Sequence, residues 1–148
     1  MDRGVAVMLT AFVGALIAFQ APINAGLGKA VGPRQAAFVS FLIGTVLLLF
    51  IAAFARGGLA QIKDIGQIPA WYYLTGGLLG AAYVGTVLVT VRTLGAGPVV
   101  AATVAGQLSA SLVVDQLGLL GVAKDPITAI KLLGVVLLGV GTYLIVRE

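Results

Sequence analysis

The chain has 148 residues, of which 60% are hydrophobic and 9% are charged, and its mean hydropathy is +1.13. A soluble domain carries about 25% charged residues, so this composition excludes a water-soluble globule. The absence of Cys and His also excludes disulfide frameworks, thiol catalysis, zinc sites built on those residues and a histidine general base. We therefore expect no catalytic residue, no metal and no cofactor, and a membrane protein that is not an enzyme.

Five apolar runs are long enough to cross a membrane, since about 20 helical residues span its hydrocarbon core. We expect these spans at approximately residues 4–27, 34–55, 71–91, 97–121 and 127–146. The predicted fold class is an all-α integral membrane protein with five transmembrane helices. Residues 1–148 are expected to form a single transmembrane domain.

Four of the five prolines fall at or just before the predicted starts of spans two to five, where a missing N–H costs little: Pro33, Pro69, Pro98 and Pro126. Because Asp125 precedes Pro126, we predict an N-cap followed by proline at the first helical position. Pro22 lies inside span one, where it should kink the helix or loosen its end. That kink is either merely tolerated or functional.

Basic residues are divided almost evenly between the two sides of the membrane. Five lie on the N-terminal side and four on the other: Arg3, Arg56, Lys63, Lys124 and Lys131 against Lys29, Arg34, Arg92 and Arg147. Because an excess of Lys and Arg normally fixes orientation, this split predicts insertion both ways up, unless a few charges near span one decide it. Two oppositely inserted copies can pair as an antiparallel homodimer. The net charge of +4 is then interfacial, and the expected partner is membrane lipid, not nucleic acid.

Small residues in two spans predict close approach of a neighbouring backbone. In span three, Gly77, Ala81 and Gly85 recur at intervals of four, and in span five Gly134 and Gly141 are seven apart and share a face. The spacing leaves open which set forms the dimer and which packs within the chain.

Polar residues form stripes on three spans, and polar groups in hydrocarbon must find a partner or face a cavity. Span four carries one polar residue at every fourth position: Thr103, Gln107, Ser111 and Asp115. Span three carries a second polar stripe of Tyr83, Thr86 and Thr90. Span one carries a short third near its end, Gln20 and Asn24. We expect a substrate cavity lined by Gln107, Gln20, Asn24, Tyr83, Thr103 and Ser111. The alternative is interhelical hydrogen bonding, which we favour for Ser and Thr because a hydroxyl can also bond to its own helix.

Asp115 is the only acidic residue within a predicted span. It lies roughly 9 Å from the centre of span four at about 1.5 Å per residue, close to the membrane boundary and on the side of the five basic residues. Gly118 and Gly121 should end or bend the helix just beyond it, leaving Asp115 in the last turns. Two roles are predicted for its carboxylate, either a gate or proton group, or a boundary ion pair.

Four stretches carry a resemblance to a known family: FQAPINAGLG, GPRQAAFVSFLIGT, GQLSASLVVDQLGLLG and GVVLLGVGTYLI. Over nearly the whole chain they resemble the YdcZ-type family of the drug/metabolite transporter superfamily. Spans three to five also resemble the last three helices of the small multidrug resistance transporters. The resemblance implies a paired or antiparallel dimer in the cytoplasmic membrane, alternating access and a substrate site between subunits. It also implies that Tyr83 lines the site and that Gly134 and Gly141 lie in the dimer contact.

One departure from that resemblance concerns proton coupling. The small multidrug transporters carry a glutamate in the middle of their first helix, whereas span one has Phe19 and Gln20 in that neighbourhood and no acid. Gln20 can hydrogen-bond a solute through its amide but cannot exchange a proton. We predict a secondary transporter of a small organic or lipophilic solute, with a passive channel or a structural membrane subunit as the alternatives.

Overall fold

The computed structural model describes residues 2–147, and within that range it contains helices and no strand. Five α-helices are each long and apolar enough to cross a membrane. They are α1 (Arg3–Val31), α2 (Pro33–Phe54), α3 (Trp71–Leu94), α4 (Ala96–Leu117) and α5 (Ala129–Arg147). The 3-10 helix Gly58–Gln67 connects α2 to α3, and a short 3-10 turn, Leu119–Gly121, follows α4. The all-helical class and the five spans are confirmed.

The turn between α1 and α2 consists of a single residue, Gly32. Pro22 does not end α1, which continues to Val31. Gly32, at φ 90°, then separates the two helices in a conformation that favours glycine. Pro33 occupies the first position of α2, as predicted, because its missing N–H has no intrahelical partner to lose there.

The start of α5 differs from the sequence prediction. Asp125 does not cap the helix and Pro126 is not its first residue, because α5 begins at Ala129. The Thr128 hydroxyl instead accepts from the Lys131 N–H at 3.3 Å, the bond that an N-cap residue makes to the third helical residue. Both Asp and Thr are good cap residues, so the local sequence did not decide between them.

The chain forms two compact units, Met1–Arg92 with α1, α2 and α3, and Thr93–Glu148 with α4 and α5. In the first unit, α1 and α3 bury faces with the same spacing, Ala21, Asn24, Ala25 and Gly28 on α1 and Val84, Val87, Leu88 and Val91 on α3. Ala36 of α2 is fully buried and packs with Val84 and Leu88. The core therefore lies where α1 and α3 end and α2 begins. The expectation of a single domain stays a prediction.

Gly28 allows the three helices to approach one another at this end. A Cβ at Gly28 would lie 2.6 Å from Nη2 of Arg92, 3.4 Å from Cα of Pro33 and 3.6 Å from Cβ of Ala36. The Arg92 guanidinium also donates to the carbonyl of Ala25 at 3.5 Å. One arginine from α3 thus lies across the last turns of α1.

In the second unit, α4 and α5 pack as an antiparallel pair held by a polar contact at each end. The Thr142 hydroxyl of α5 donates to the carbonyl of Ala101 at 3.2 Å. At the opposite end, Oε1 of Gln116 accepts from the N–H of Ile127 at 2.6 Å. Within the described part of this unit only Val99 is buried, so most of its apolar surface faces outward, as lipid or a partner helix requires.

Candidate functional site

Three of the predicted cavity residues line one small cavity between α1 and α3. Gln20 and Asn24 of α1 face Tyr83 of α3, and Val84 and Leu88 are among the apolar residues around them. Its volume is about 10 Å³, close to the space of a single water. Asn24 is 6% exposed and is the one buried polar residue among residues 2–147. Among residues 2–147, no buried side-chain nitrogen or oxygen atom lacks a hydrogen-bond partner.

A second, larger cavity of about 210 Å³ lies between α1 and α2. Gln20 lines it together with Ser40 and Thr45, and Phe41 and Leu48 contribute apolar surface. Ser40 and Thr45 were not predicted from the sequence. The sequence signal for them is a cluster of small and polar residues on one face of α2, with Ser40 at i, Gly44 at i+4 and Thr45 at i+5. It was weaker than the stripe on α4 because it contains no amide or charge.

Both cavities lie near the midpoints of the helices that line them. Gln20 is three residues from the midpoint of α1, which is roughly 4.5 Å along the helix axis. Tyr83 and Gly44 are at the midpoints of α3 and α2. No Asp, Glu, Lys or Arg lines either cavity. The arrangement is an uncharged, hydrogen-bonding site, with Gln20 in both cavities.

The polar stripe of α4 belongs to the second unit and is mostly uncovered within it. Gln107, at the midpoint of α4, and Ser111 are exposed, whereas Thr103 is half-buried. The Ser111 hydroxyl donates to the carbonyl of Leu108 at 3.0 Å. Ser111 thus bonds to its own helix, as a hydroxyl in a helix can, and its place in a cavity or in an interhelical contact stays a prediction. The amide of Gln107 faces away from its unit.

Asp115 lies in the last turn of α4, as predicted, because Gly118 ends the helix in the left-handed conformation at φ 64°. It is between eight and nine residues from the helix midpoint, or roughly 13 Å, and is half-buried. Its backbone carbonyl accepts from the N–H of Asp125 at 2.9 Å. The one salt bridge within residues 2–147 joins Nζ of Lys131 to Oδ1 of Asp125 at 2.6 Å. The boundary ion pair in this region is therefore made by Asp125, and the role of Asp115 stays a prediction.

The glycines predicted to mediate packing have open surroundings. A Cβ added at Gly77, Gly85, Gly134 or Gly141 would meet no heavy atom within 4 Å in the described chain. Gly80, by contrast, lies against the Phe41 ring, with the nearest distance at 3.7 Å. Each of the predicted glycine positions is thus unoccupied within its own unit.

Five membrane-length helices and uncharged cavities at mid-depth define a small multi-pass membrane protein. The family described as "Putative inner membrane exporter, YdcZ" matches residues 5–144, so the chain belongs to this family. "Inner membrane protein YdcZ" of Escherichia coli (strain K12) is 32% identical over 115 residues, which cover 76% of this chain and 74% of that protein. No solved structure matches the chain significantly. The family resemblance and the multi-pass location in the cytoplasmic membrane are confirmed.

Proposed function

We propose that this protein is a secondary transporter that exports a small organic or lipophilic solute and works as an antiparallel homodimer. The observation that carries the proposal is the position of Gln20, which lies near the middle of α1 and lines both mid-depth cavities. A transporter needs such a central site, because a solute bound there can be exposed to either side in turn. Membership of a family described as inner-membrane exporters supports the same function.

The chemistry of the two cavities favours an uncharged solute with both polar and apolar parts. Gln20 and Asn24 can each donate and accept hydrogen bonds, and Ser40 and Thr45 add hydroxyls. Phe41 belongs to the apolar lining beside them. A fully charged solute would be costly to dehydrate here, because no opposite charge lines either cavity.

The exposed amide of Gln107 supports the dimer. It lies at the middle of α4, where a polar side chain facing hydrocarbon is unfavourable and normally faces a protein interior or a cavity. A second copy would cover this face. The five-to-four division of basic residues supports opposite orientations of the two copies.

The glycines of α5 give the proposed dimer a defined geometry. When two copies of α5 pair antiparallel, the residue numbers of each facing pair add up to the same value. If the two glycines form the contact, Gly134 of one copy would meet Gly141 of the other. The crossing point would then fall between residues 137 and 138, at the centre of α5 (Ala129–Arg147). Both positions are open within the chain, as a contact between copies requires.

The proposed function is tested by substrate counterflow. A library of small organic solutes is screened by thermal shift on the purified protein, and stabilising compounds are then offered, radiolabelled, to proteoliposomes preloaded with the unlabelled compound. We expect saturable uptake that accumulates transiently against the label gradient. Flux that does not saturate, or conductance far above transporter turnover, would instead support the channel.

Gln20→Leu is expected to reduce counterflow by about five- to 150-fold, since losing a hydrogen bond in a site built for it typically costs about 1–3 kcal/mol. Gln61→Leu, in the connecting 3-10 helix and outside both cavities, is the matched control and should leave counterflow unchanged. Equal activity of both variants would contradict the assignment of Gln20. If Gln107→Ala and Asp115→Ala also left every flux unchanged, a structural subunit would be the better description.

A further inference from the structure

A groove separate from the candidate site runs along the first unit, between the start of α2 and one face of α3. Its volume is about 680 Å³. Arg34 and Gln35 line it on the α2 side, and Ala81, Gly85 and Val89 line it on the α3 side. Thr86 and Thr90 also line the α3 side. The groove thus combines one cationic end with a wall of small residues, most of them apolar.

The length and depth of this groove match one leaflet of a bilayer. Arg34 is the second residue of α2 and therefore lies at the membrane boundary. From Thr90 to Ala81, both of which line the groove, the α3 backbone rises roughly 14 Å. One leaflet of the hydrocarbon core is about 15 Å thick. The groove consequently extends from headgroup depth to the middle of the membrane.

The basic residues at the outer end form no salt bridge within residues 2–147. Lys29, Arg34 and Arg92 lie at this end of the first unit, where α1 and α3 end and α2 begins. The acidic residues of that unit, Asp2 and Asp64, lie at the opposite end. Within residues 2–147 the one salt bridge is elsewhere, between Asp125 and Lys131. The groove entrance therefore has a net positive charge.

We propose that this groove binds an anionic phospholipid, with the phosphate at Arg34 and Gln35 and one acyl chain along Ala81–Val89. Basic residues at headgroup depth attract anionic lipids, and guanidinium groups bind phosphate oxygens by charge-assisted hydrogen bonds. A helix from a second copy matches the groove less well, because Asp115 is the only acidic residue within α1–α5. A phospholipid supplies both the negative charge and the apolar chain at the depths that the groove requires.

Two pairs of variants test the proposal on the full-length protein. Gly85→Leu fills the groove without a clash at the backbone, since an added Cβ meets nothing within 4 Å. Its matched control is Gly77→Leu, which is equally open but lies outside the groove. Arg34→Gln removes the charge at the entrance, and Arg56→Gln removes an arginine beyond the other end of α2.

The measurement is binding of phosphatidylglycerol and of phosphatidylcholine to the purified protein, by native mass spectrometry and by thermal shift in mixed micelles. We expect the wild type, Gly77→Leu and Arg56→Gln to prefer phosphatidylglycerol. Arg34→Gln should bind it roughly fivefold more weakly, as expected for one basic residue at the surface, and Gly85→Leu should lose the preference. Both variants should keep the unfolding temperature of their controls in phosphatidylcholine.

Equal binding of the two lipids by the wild type, or equal behaviour within each variant pair, would overturn the proposal. If Gly85→Leu dissociated a dimer while the lipid preference persisted, the groove would hold a second copy, and the lipid assignment would be wrong. These readouts measure lipid binding and not solute flux. A negative result for lipid binding would therefore not contradict the transport proposal, which the counterflow experiment tests.

Discussion

At the residue scale, Gly28 shows how one small side chain allows several helices to meet. Its open face contacts the Arg92 side chain from α3, and Pro33 and Ala36 from α2. The sequence did not identify this position, because Gly28 has its role only when Arg92, from a distant part of the chain, lies across it. Ser40 and Thr45 were missed for the same reason, since their cavity is completed by Gln20 from another helix.

Two substitutions at Gly28 should distinguish displacement of the Arg92 side chain from overpacking against α2. In Gly28→Ala only the flexible end of Arg92 must move, so we expect little loss of stability, offset by the better helix propensity of alanine. Gly28→Leu would also press against Pro33 and Ala36, and overpacking of this kind costs about 1–3 kcal/mol. Thermal unfolding in detergent measures the difference. Gly26→Leu, which has open space around its Cβ, is the control, and an equal loss in Gly26→Leu and Gly28→Leu would contradict the proposed close packing.

At the scale of elements, hydropathy was sufficient to find all five helices because each must satisfy its own backbone in lipid. The helix ends were less predictable. At the start of α5, Asp125 bonds to Lys131 through its side chain, and Thr128 caps the helix instead. Two cap residues three positions apart compete, and the outcome depends on the ion pair that one of them finds.

Contact between α4 and α5 rests partly on the hydroxyl of Thr142. Thr142→Val removes its hydrogen bond to Ala101, and such interhelical bonds in membranes are worth about 0.6 kcal/mol on average. We expect a decrease of that size in the free energy of unfolding, measured by denaturation in mixed micelles. Thr10→Val is the control, because the Thr10 hydroxyl bonds only to the carbonyl of Ala6 in its own helix. Equal destabilisation by the two substitutions would show that the interhelical bond contributes nothing.

At the scale of the whole molecule, the sequence predicted a membrane transporter of a particular family more readily than it predicted a site. Composition and apolar run lengths define the class, and the family match covers residues 5–144. Gln20, Asn24 and Tyr83 lie together at one small cavity, and their role in binding a solute stays a prediction. The stripe on α4 remains uncovered within its unit, since its partner, on our proposal, belongs to a second copy that one chain cannot specify.

The proposed dimer is the central claim, and pairing of single cysteines on α5 tests it most directly. The chain has no cysteine of its own, so Gly134→Cys and Gly141→Cys each introduce one reactive site on a face that is open within the chain. The two variants are expressed with different tags, alone and together, and cross-linked in membranes. Gly139→Cys, on another face of α5, is the control. An antiparallel dimer predicts cross-links between the two variants when they are co-expressed and few in either variant alone. Strong cross-linking of Gly134→Cys to itself, with none to Gly141→Cys, would contradict the account.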